Sequence, residues 1–283
     1  MYMKLKDGKS KVVTLSYDDG VVHDKRLIQI MDKYGLKGTF NINTDWYLPE
    51  DTVRECYYGR MNRMTLSEAK ELYIGSGHEV AIHGFSHSFL NWGRKEEVFF
   101  EVLEDKKNIE QQFGVVTRGM AYPYGTYNDA VVNAVRLCGI SYARTAKSTA
   151  SFSFPEDWLI WHPTCHHKNP RLMELAKKFV ESGSKYQVVN SMFYLWGHSY
   201  EFYDDDNWEL MEEFGECIGG KEDIWYATNI EIFDYVQAYE RLQVSVDGTI
   251  VHNPSAMDVW FVDNDEENHE IYCVKAGQTL CLG

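Results

Sequence analysis

The stretch Val12-Val13-Thr14-Leu15-Ser16-Tyr17-Asp18-Asp19-Gly20 is an apolar run that ends in two carboxylates and a glycine. A β-rich segment that stops at a polar turn reads as a strand carrying functional groups at its C-terminal end. The pattern recurs. Runs near 12–17, 37–43, 78–83, 119–123, 140–145, 189–197 and 223–228 each precede a loop or an amphipathic helical pattern. Such alternation predicts parallel βα units. Seven of them predict an α/β fold, a distorted or incomplete (β/α) barrel, with its chemistry on the loops that follow the strands.

Between the strands, Leu27, Ile28, Met31 and Tyr34 mark a first helix that stops at Gly35. Thr65 with Glu68 three residues on is a capping box that starts another, ended by Gly75 and Gly77. Pro170 opens a third, before Leu172, Leu175, Phe179 and Val180. From Leu242 the period changes to two (Leu242, Val244, Val246), followed by an Asp247-Gly248 turn and the runs Val259–Val262 and Ile271–Val274. Residues 1–241 are therefore expected to form the barrel domain and residues 242–283 a small β module. The acidic run from Asp263 to Glu267 reads as a solvated loop.

A chain of 283 residues with 44% hydrophobic content can bury a sizeable core. Its formal charge of −15 argues against nucleic acid or an anionic membrane as partner, because phosphates call for clustered Lys and Arg. No apolar stretch approaches membrane-spanning length, and no basic-then-apolar leader precedes Lys11, so a cytoplasmic location is expected. The six cysteines lack CxxC spacing and read as reduced thiols.

Four short motifs follow predicted strands. Asp18 and Asp19 are adjacent carboxylates that repel unless a cation or different roles separate their protonation states, as with a metal ligand beside a general base; a plain Asp-Asp-Gly turn is the alternative. His83 and His87 lie at i, i+4, where one helical turn converges two imidazoles on one cation. His162 and His166 repeat the spacing, but Pro163 between them opposes a regular turn. Tyr122-Pro123-Tyr124-Gly125 and Leu195-Trp196-Gly197-His198 complete the set.

The order of these motifs resembles the polysaccharide deacetylases, also called carbohydrate esterase family 4 or the NodB-homology family. The family's Asp-Asp-Gly motif is matched at Ser16–Gly20, its His-Ser/Thr-x-x-His motif at His83–His87, its Arg-x-Pro-Tyr/Phe-Gly motif at Ala121–Gly125 and its Leu-x-x-His motif at Leu195–His198. Asp157-Trp158 is similar to a weaker Asp/Trp motif. The resemblance covers roughly residues 10–240. It implies that Asp19, His83 and His87 hold one divalent metal, zinc first with cobalt and nickel as alternatives. It implies Asp18 as the general base, His198 as the general acid and the Tyr124 N–H as an oxyanion donor. The third-motif arginine that contacts the base falls at Ala121 here, and Arg144, after the fifth strand, is the candidate to replace it, ahead of Arg118. His166 and His167, with Trp161 and Cys165, are expected to line the pocket, with Trp46, Trp158 and Trp196 as sugar-stacking candidates.

The expected activity is hydrolysis of an N-acetyl or related acyl group on a soluble small carbohydrate. The alternatives are a C–N hydrolase of ureides or cyclic imides, and a sugar-binding protein whose catalysis has decayed.

Overall fold

The computed structural model describes residues 1–52, 62–183, 189–263 and 270–282. After a short strand β1 (Tyr2–Lys4), the chain runs through β2 (Lys11–Asp18), α1 (Asp24–Lys33), β3 (Gly38–Ile42), α2 (Leu66–Tyr73), β4 (Glu79–Ile82), α3 (Lys95–Phe113), β5 (Gly119–Ala121) and α4 (Asp129–Leu137). It continues through β6 (Tyr142–Arg144), β7 (Cys165–His166), α5 (Leu172–Glu181), β8 (Ser191–Gly197), α6 (Ser199–Asp204), α7 (Glu209–Ile218), β9 (Ile224–Tyr226) and α8 (Asn229–Glu240).

The parallel strands lie in the order β6-β5-β4-β3-β2-β8-β7, and β9 also pairs with β2. This is a curled, incomplete barrel, as the alternation predicts, and each of the seven expected runs forms a strand. The addition is β7, only two residues long and too short to leave a pattern. One edge of β2 is shared: its first half, Lys11–Val13, pairs with β9, and its second half, Leu15–Asp18, pairs with β3. At the open side, a single segment bridges the outer strands. Trp161 pairs with Arg144 of β6, the Thr164 N–H donates to the Tyr194 carbonyl of β8, and Cys165 pairs with Leu195.

Alternation along β2 explains how the barrel presents a polar site. Val13, Leu15 and Tyr17 join the apolar core shared with the helices, whereas Val12 belongs to a separate cluster that includes Tyr142, Trp161 and Tyr194. On the face of Val12 the chain places Thr14, Ser16 and Asp18. Each finds a partner: Thr14 donates to Asn229 (2.8 Å), while Ser16 and Asp18 accept from the Asn41 amide (2.8 and 2.9 Å). This polar column satisfies itself below and delivers a carboxylate above.

The helices close the outside for the reasons read from their residues. α1 buries Leu27, Ile28, Ile30 and Met31 and is followed by Gly35 at φ 66°, and Thr65 and Glu68 form the capping box of α2. α5 begins at Leu172, two residues beyond Pro170. The last part of the chain forms β10 (Gln243–Val244), β11 (Ile250–His252), β12 (Val259–Val262), β13 (Ile271–Val274) and β14 (Thr279–Cys281). These make two antiparallel sheets, β10-β11-β14 and β1-β12-β13, the second completed by the N-terminal strand. Of the acidic run, residues 264–267 lie outside the described residues, as does Cys56. The five described cysteines are free thiols. Among the described residues no helix is long and apolar enough to cross a membrane.

Asp24, at the start of α1, is fully buried and accepts from Tyr73 Oη and Ser199 Oγ (2.5 Å each), tying α1 to α2 and α6. Burial outweighs these bonds and raises its pKa to about 7. A carboxyl that holds its proton more tightly when folded stabilises most below its unfolded pKa, and loses that contribution as pH rises toward the folded value. Unfolding free energy is therefore expected to fall between about pH 4 and 7. In Asp24→Asn, whose hydroxyl partners can reorient, urea titrations should show a pH-dependent loss across that range smaller by about 4 kcal/mol.

Candidate active site

A cavity of about 490 Å³ opens at the C-terminal ends of the barrel strands, lined by Asp18, Asp19, His83, His87, Tyr124, Arg144 and His198 among others. The residues singled out at four strand ends therefore meet in one place. The backbone is under local strain there. Asp19 (φ 81°), His87 (φ 57°) and Tyr124 (φ 57°) all adopt the left-handed region that side chains with a Cβ disfavour. The two histidines do not share a helical turn, contrary to the i, i+4 expectation. Residues 83–87 form a loop, and the positive φ of Gly84 and His87 folds it back so that the rings lie 4.7 Å apart.

Two carboxylates of α3 hold this loop. Asp105 accepts from the His83 N–H (3.1 Å), the Thr44 N–H (2.9 Å) and Thr44 Oγ1 (2.8 Å). One turn earlier, Glu101 accepts from the Ser86 N–H (2.9 Å) and its hydroxyl. His83 Nδ1 lies 3.0 Å from the Ala121 carbonyl, so that nitrogen carries the proton and Nε2 offers a lone pair.

The donor set fits a divalent cation. Asp19 Oδ1 is buried without a hydrogen-bond partner, and Nε2 of His83 and Nε2 of His87 each lie 3.7 Å from it. Burial, then the charge of His83, lowers the His87 pKa to about 3, which keeps its imidazole neutral. Burial raises the Asp19 pKa against the charges of His83 and His198, and the Asp18 carboxylate adds to the rise, an environment that a cation would relieve.

Asp18 differs from its neighbour. Burial pushes its pKa up, but the Arg144 guanidinium, followed by His83 and His198, outweighs that and holds it at about 2. Arg144 is itself buried; it bonds to Asp18, donates to Ser16 Oγ (3.2 Å) and lies over the Trp196 ring (4.5 Å). Arg144 and Ala121 are register partners on neighbouring strands. The charge expected at 121 thus stands one strand over, at the same height in the barrel. Arg118 pairs with Asp234 instead.

On the other side of the cavity, Glu201 Oε2 lies 3.1 Å from His198 Nδ1 and 3.1 Å from His166 Nε2. The His198 pKa is lowered by burial, but the Glu201 bond and the charges of Asp18 and Asp19 overcome this and raise it. With Nδ1 donating to Glu201, the Nε2 of His198 is left for the cavity. His166, His167 and Glu201 also form a cluster with metal-ligand spacing. However, His166 Nδ1 accepts from the Lys168 N–H (3.0 Å), so its proton sits on Nε2 and that nitrogen has no lone pair to give. His166 and His167 stand behind His198 around Glu201 instead of facing the cavity, and the His167 ring packs 4.1 Å from Phe202.

Trp158 and Trp161 lie elsewhere. Their segment runs along β6, and the Trp161 ring turns inward to pack 4.7 Å from Tyr194, while Trp158 packs against Trp161 and Phe233. Trp46 and Trp196 do line the cavity. Sequence reading passed over Asn41, Glu101, Asp105, Glu201 and Arg63, which lines the cavity beside Trp46. The only available signals were the polar Asn41 inside an apolar run and the His198-x-x-Glu201 spacing.

Residues 5–143 match the family model for polysaccharide deacetylase. A Bacillus subtilis protein described as a polysaccharide deacetylase, YxkH, is 23% identical over 147 residues, 52% of this chain and 48% of that protein. The chain thus spans about half the length of the curated relative it matches. Among solved structures, a Mycobacterium smegmatis protein described as a polysaccharide deacetylase aligns with TM-score 0.58 and 16% identity over 84% of this chain and 94% of its own. The Xyl-CE4 domain of a multidomain xylanase from the hindgut metagenome of Trinervitermes trinervoides aligns with TM-score 0.53 and 14% identity, over 81% and 92%. The family 4 carbohydrate esterase of Streptomyces lividans, solved with acetate, gives 0.50 and 12%, over 76% and 91%. At these identities the solved structures bear on the fold alone.

Asp105→Ala takes the acceptor from the Thr44 N–H and hydroxyl and leaves the His83 N–H with the Ile42 carbonyl alone. Urea denaturation should register a loss of about 2–4 kcal/mol.

Proposed function

We propose, from the match of residues 5–143 to the polysaccharide deacetylase family model, that this chain is a metal-dependent hydrolase of that family removing an N-acetyl group from a carbohydrate. The observation that carries the reading is the convergence on the buried, unpartnered Asp19 Oδ1 of two imidazole nitrogens at 3.7 Å, inside the cavity that also holds Asp18 and His198. Asp19, His83 and His87 would hold one divalent cation, zinc first with cobalt or nickel as alternatives. When bound, it would acidify a water and polarise the acyl oxygen.

The chain's own groups account for the protons. Asp18, kept ionised by Arg144, takes the proton from the attacking water. The water oxygen bonds to the acyl carbon while the Tyr124 N–H supports the negative charge on the acyl oxygen. His198, oriented by Glu201, then protonates the leaving nitrogen as the C–N bond breaks, giving acetate and a free amine. Trp196 and Trp46 border the sugar. The catalytic unit lies within residues 1–241, and residues 242–283, whose sheet takes in the N-terminal strand β1, stand outside the chemistry.

The test is metal content and acetate release on chelator-treated and reconstituted protein. About one metal per chain with metal-dependent acetate release from N-acetylated sugars is expected. Metal without acetate from any substrate would sink the reading. Asp18→Asn should keep the metal and lose at least about 10²-fold in kcat, whereas His83→Ala should lose both. Arg144→Ala should lose activity comparably, and adding Ala121→Arg should restore part of it. In Glu201→Gln the charge that raises the His198 pKa is gone, so the alkaline limb of the kcat profile should move to lower pH; an unmoved limb would remove His198 from the acid role.

A further inference from the structure

Helix α6 (Ser199–Asp204) is six residues long, too short to be held by helical propensity, so whatever fixes its first turn comes from outside it. That turn carries the His198 side of the cavity, where Glu201 Oε2 accepts from the His198 N–H (3.2 Å) and from His198 Nδ1 (3.1 Å). The start of α1 grips α6 at two points. Asp24 Oδ1 accepts from the hydroxyl of Ser199, the residue after His198 (2.5 Å), and the His23 ring stacks on Tyr203 one turn further along (4.7 Å, 30°). Asp24 and Ser199 are both wholly buried, so no water competes for their bond. The other Asp24 oxygen accepts from Tyr73 Oη of α2 (2.5 Å), which holds the carboxyl in place and aims Oδ1 at Ser199. Since β2 runs through Asp18, Asp19 and the Gly20 turn into α1, one buried hydrogen bond joins the segment of the two aspartates to the segment of His198.

We propose that Asp24 is a positioning residue for the reaction: through Ser199 it fixes the first turn of α6, and with it the Glu201 carboxylate that orients His198. The proposal rests on the deacetylase reading and adds a residue to it. The charged groups that act on His198 are Glu201, Asp18 and Asp19, with the His166 ring 6.1 Å away, and of these only Glu201 rides on α6. A hydrogen bond of 3.1 Å weakens steeply with small changes of angle, so a turn of α6 that slips loses both the orientation of the imidazole and the support for its proton. Around Asp24 itself stand Tyr73 and Ser199, with Asp19 the nearby charge. Neither Asp24 nor Ser199 lines the cavity, so neither touches substrate, and any effect on turnover travels through His198.

The test measures metal content, acetate release against pH and urea stability on zinc-reconstituted wild type, Ser199→Ala, Asp24→Ala, Asp24→Asn and Tyr73→Phe. Ser199→Ala is expected to keep its metal and its KM, to lose about fivefold or more in kcat, and to move the alkaline limb of the kcat profile to lower pH by about half a unit or more. Asp24→Ala should do the same, and Ser199→Ala carries the test if that variant does not fold. Asp24→Asn still offers Ser199 an amide oxygen and cannot titrate, so it should keep the wild-type limb. Tyr73→Phe removes an equally buried bond to the same carboxyl, and should cost stability without moving the limb. A limb unmoved in Ser199→Ala, or moved as far in Tyr73→Phe or Asp24→Asn, overturns the proposal while leaving the deacetylase reading intact. If wild type releases no acetate, that reading fails separately, and NMR titration of the His198 ring in the same proteins decides. A lower His198 pKa in Ser199→Ala but not in Tyr73→Phe supports the positioning role, and equal values overturn it.

Discussion

The buried pair of Arg144 and Asp18 is the constraint around which the site is arranged. Neither side chain reaches solvent to any extent, and a buried charge is tolerable only with an opposite charge and further hydrogen bonds. Asp18 has Asn41 on its other oxygen, and Arg144 also donates to Ser16 and the Thr145 carbonyl. The consequence reaches Asp19. Two adjacent carboxylates in one buried turn could not both ionise unaided; Arg144 neutralises the first, and the second keeps a buried oxygen without a hydrogen-bond partner. Three strands, β2, β3 and β6, must hold their register for this to work, which makes the pair a clamp on the barrel as well as on the chemistry.

The carboxylates on the helices perform a different kind of work. Glu101 and Asp105, one turn apart on α3, accept from the backbone of the histidine loop and set the backbone geometry that brings His83 and His87 together. Glu201, one turn into α6, orients His198 and His166 at once. The cavity therefore sits between two supports. One fixes the prospective ligands and the other the prospective acid, and each is a helix end or face packed onto a strand end.

Much of the fold was legible because buried parallel strands are apolar runs, and these were long enough to stand out in seven places. The eighth, Cys165–His166, carries no pattern. Strand order was not legible either, since nothing local reveals that β9 and β3 share an edge of β2. In the site, strand-end position was the useful signal for Asp18, Asp19, His83, His87 and His198, which the structure gathers around one cavity. It also marked Arg144, although only the register shows that Arg144 stands beside Ala121. Glu101, Asp105 and Glu201 were not legible, because an acidic residue on an amphipathic helix looks solvated whether or not it faces a loop. Trp158 and Trp161 misled in the opposite direction: aromatic residues near a motif suggest a platform, but Trp161 turns into the core and Trp158 packs half-buried against it, away from the cavity.

The seam gives the barrel its mechanical character. Where a complete barrel would join its outer strands by a ladder, here one length of chain hydrogen-bonds β6 at Trp161 and then β8 at Thr164 and Cys165. That strap links the strand of Arg144 to the strand that leads into His198. Trp161, Thr164 and Cys165 are all buried, so the strap is fastened by packing as well as by its main-chain bonds. Loss of those bonds would part the Arg144 side of the cavity from the His198 side, and their re-forming would restore both at once.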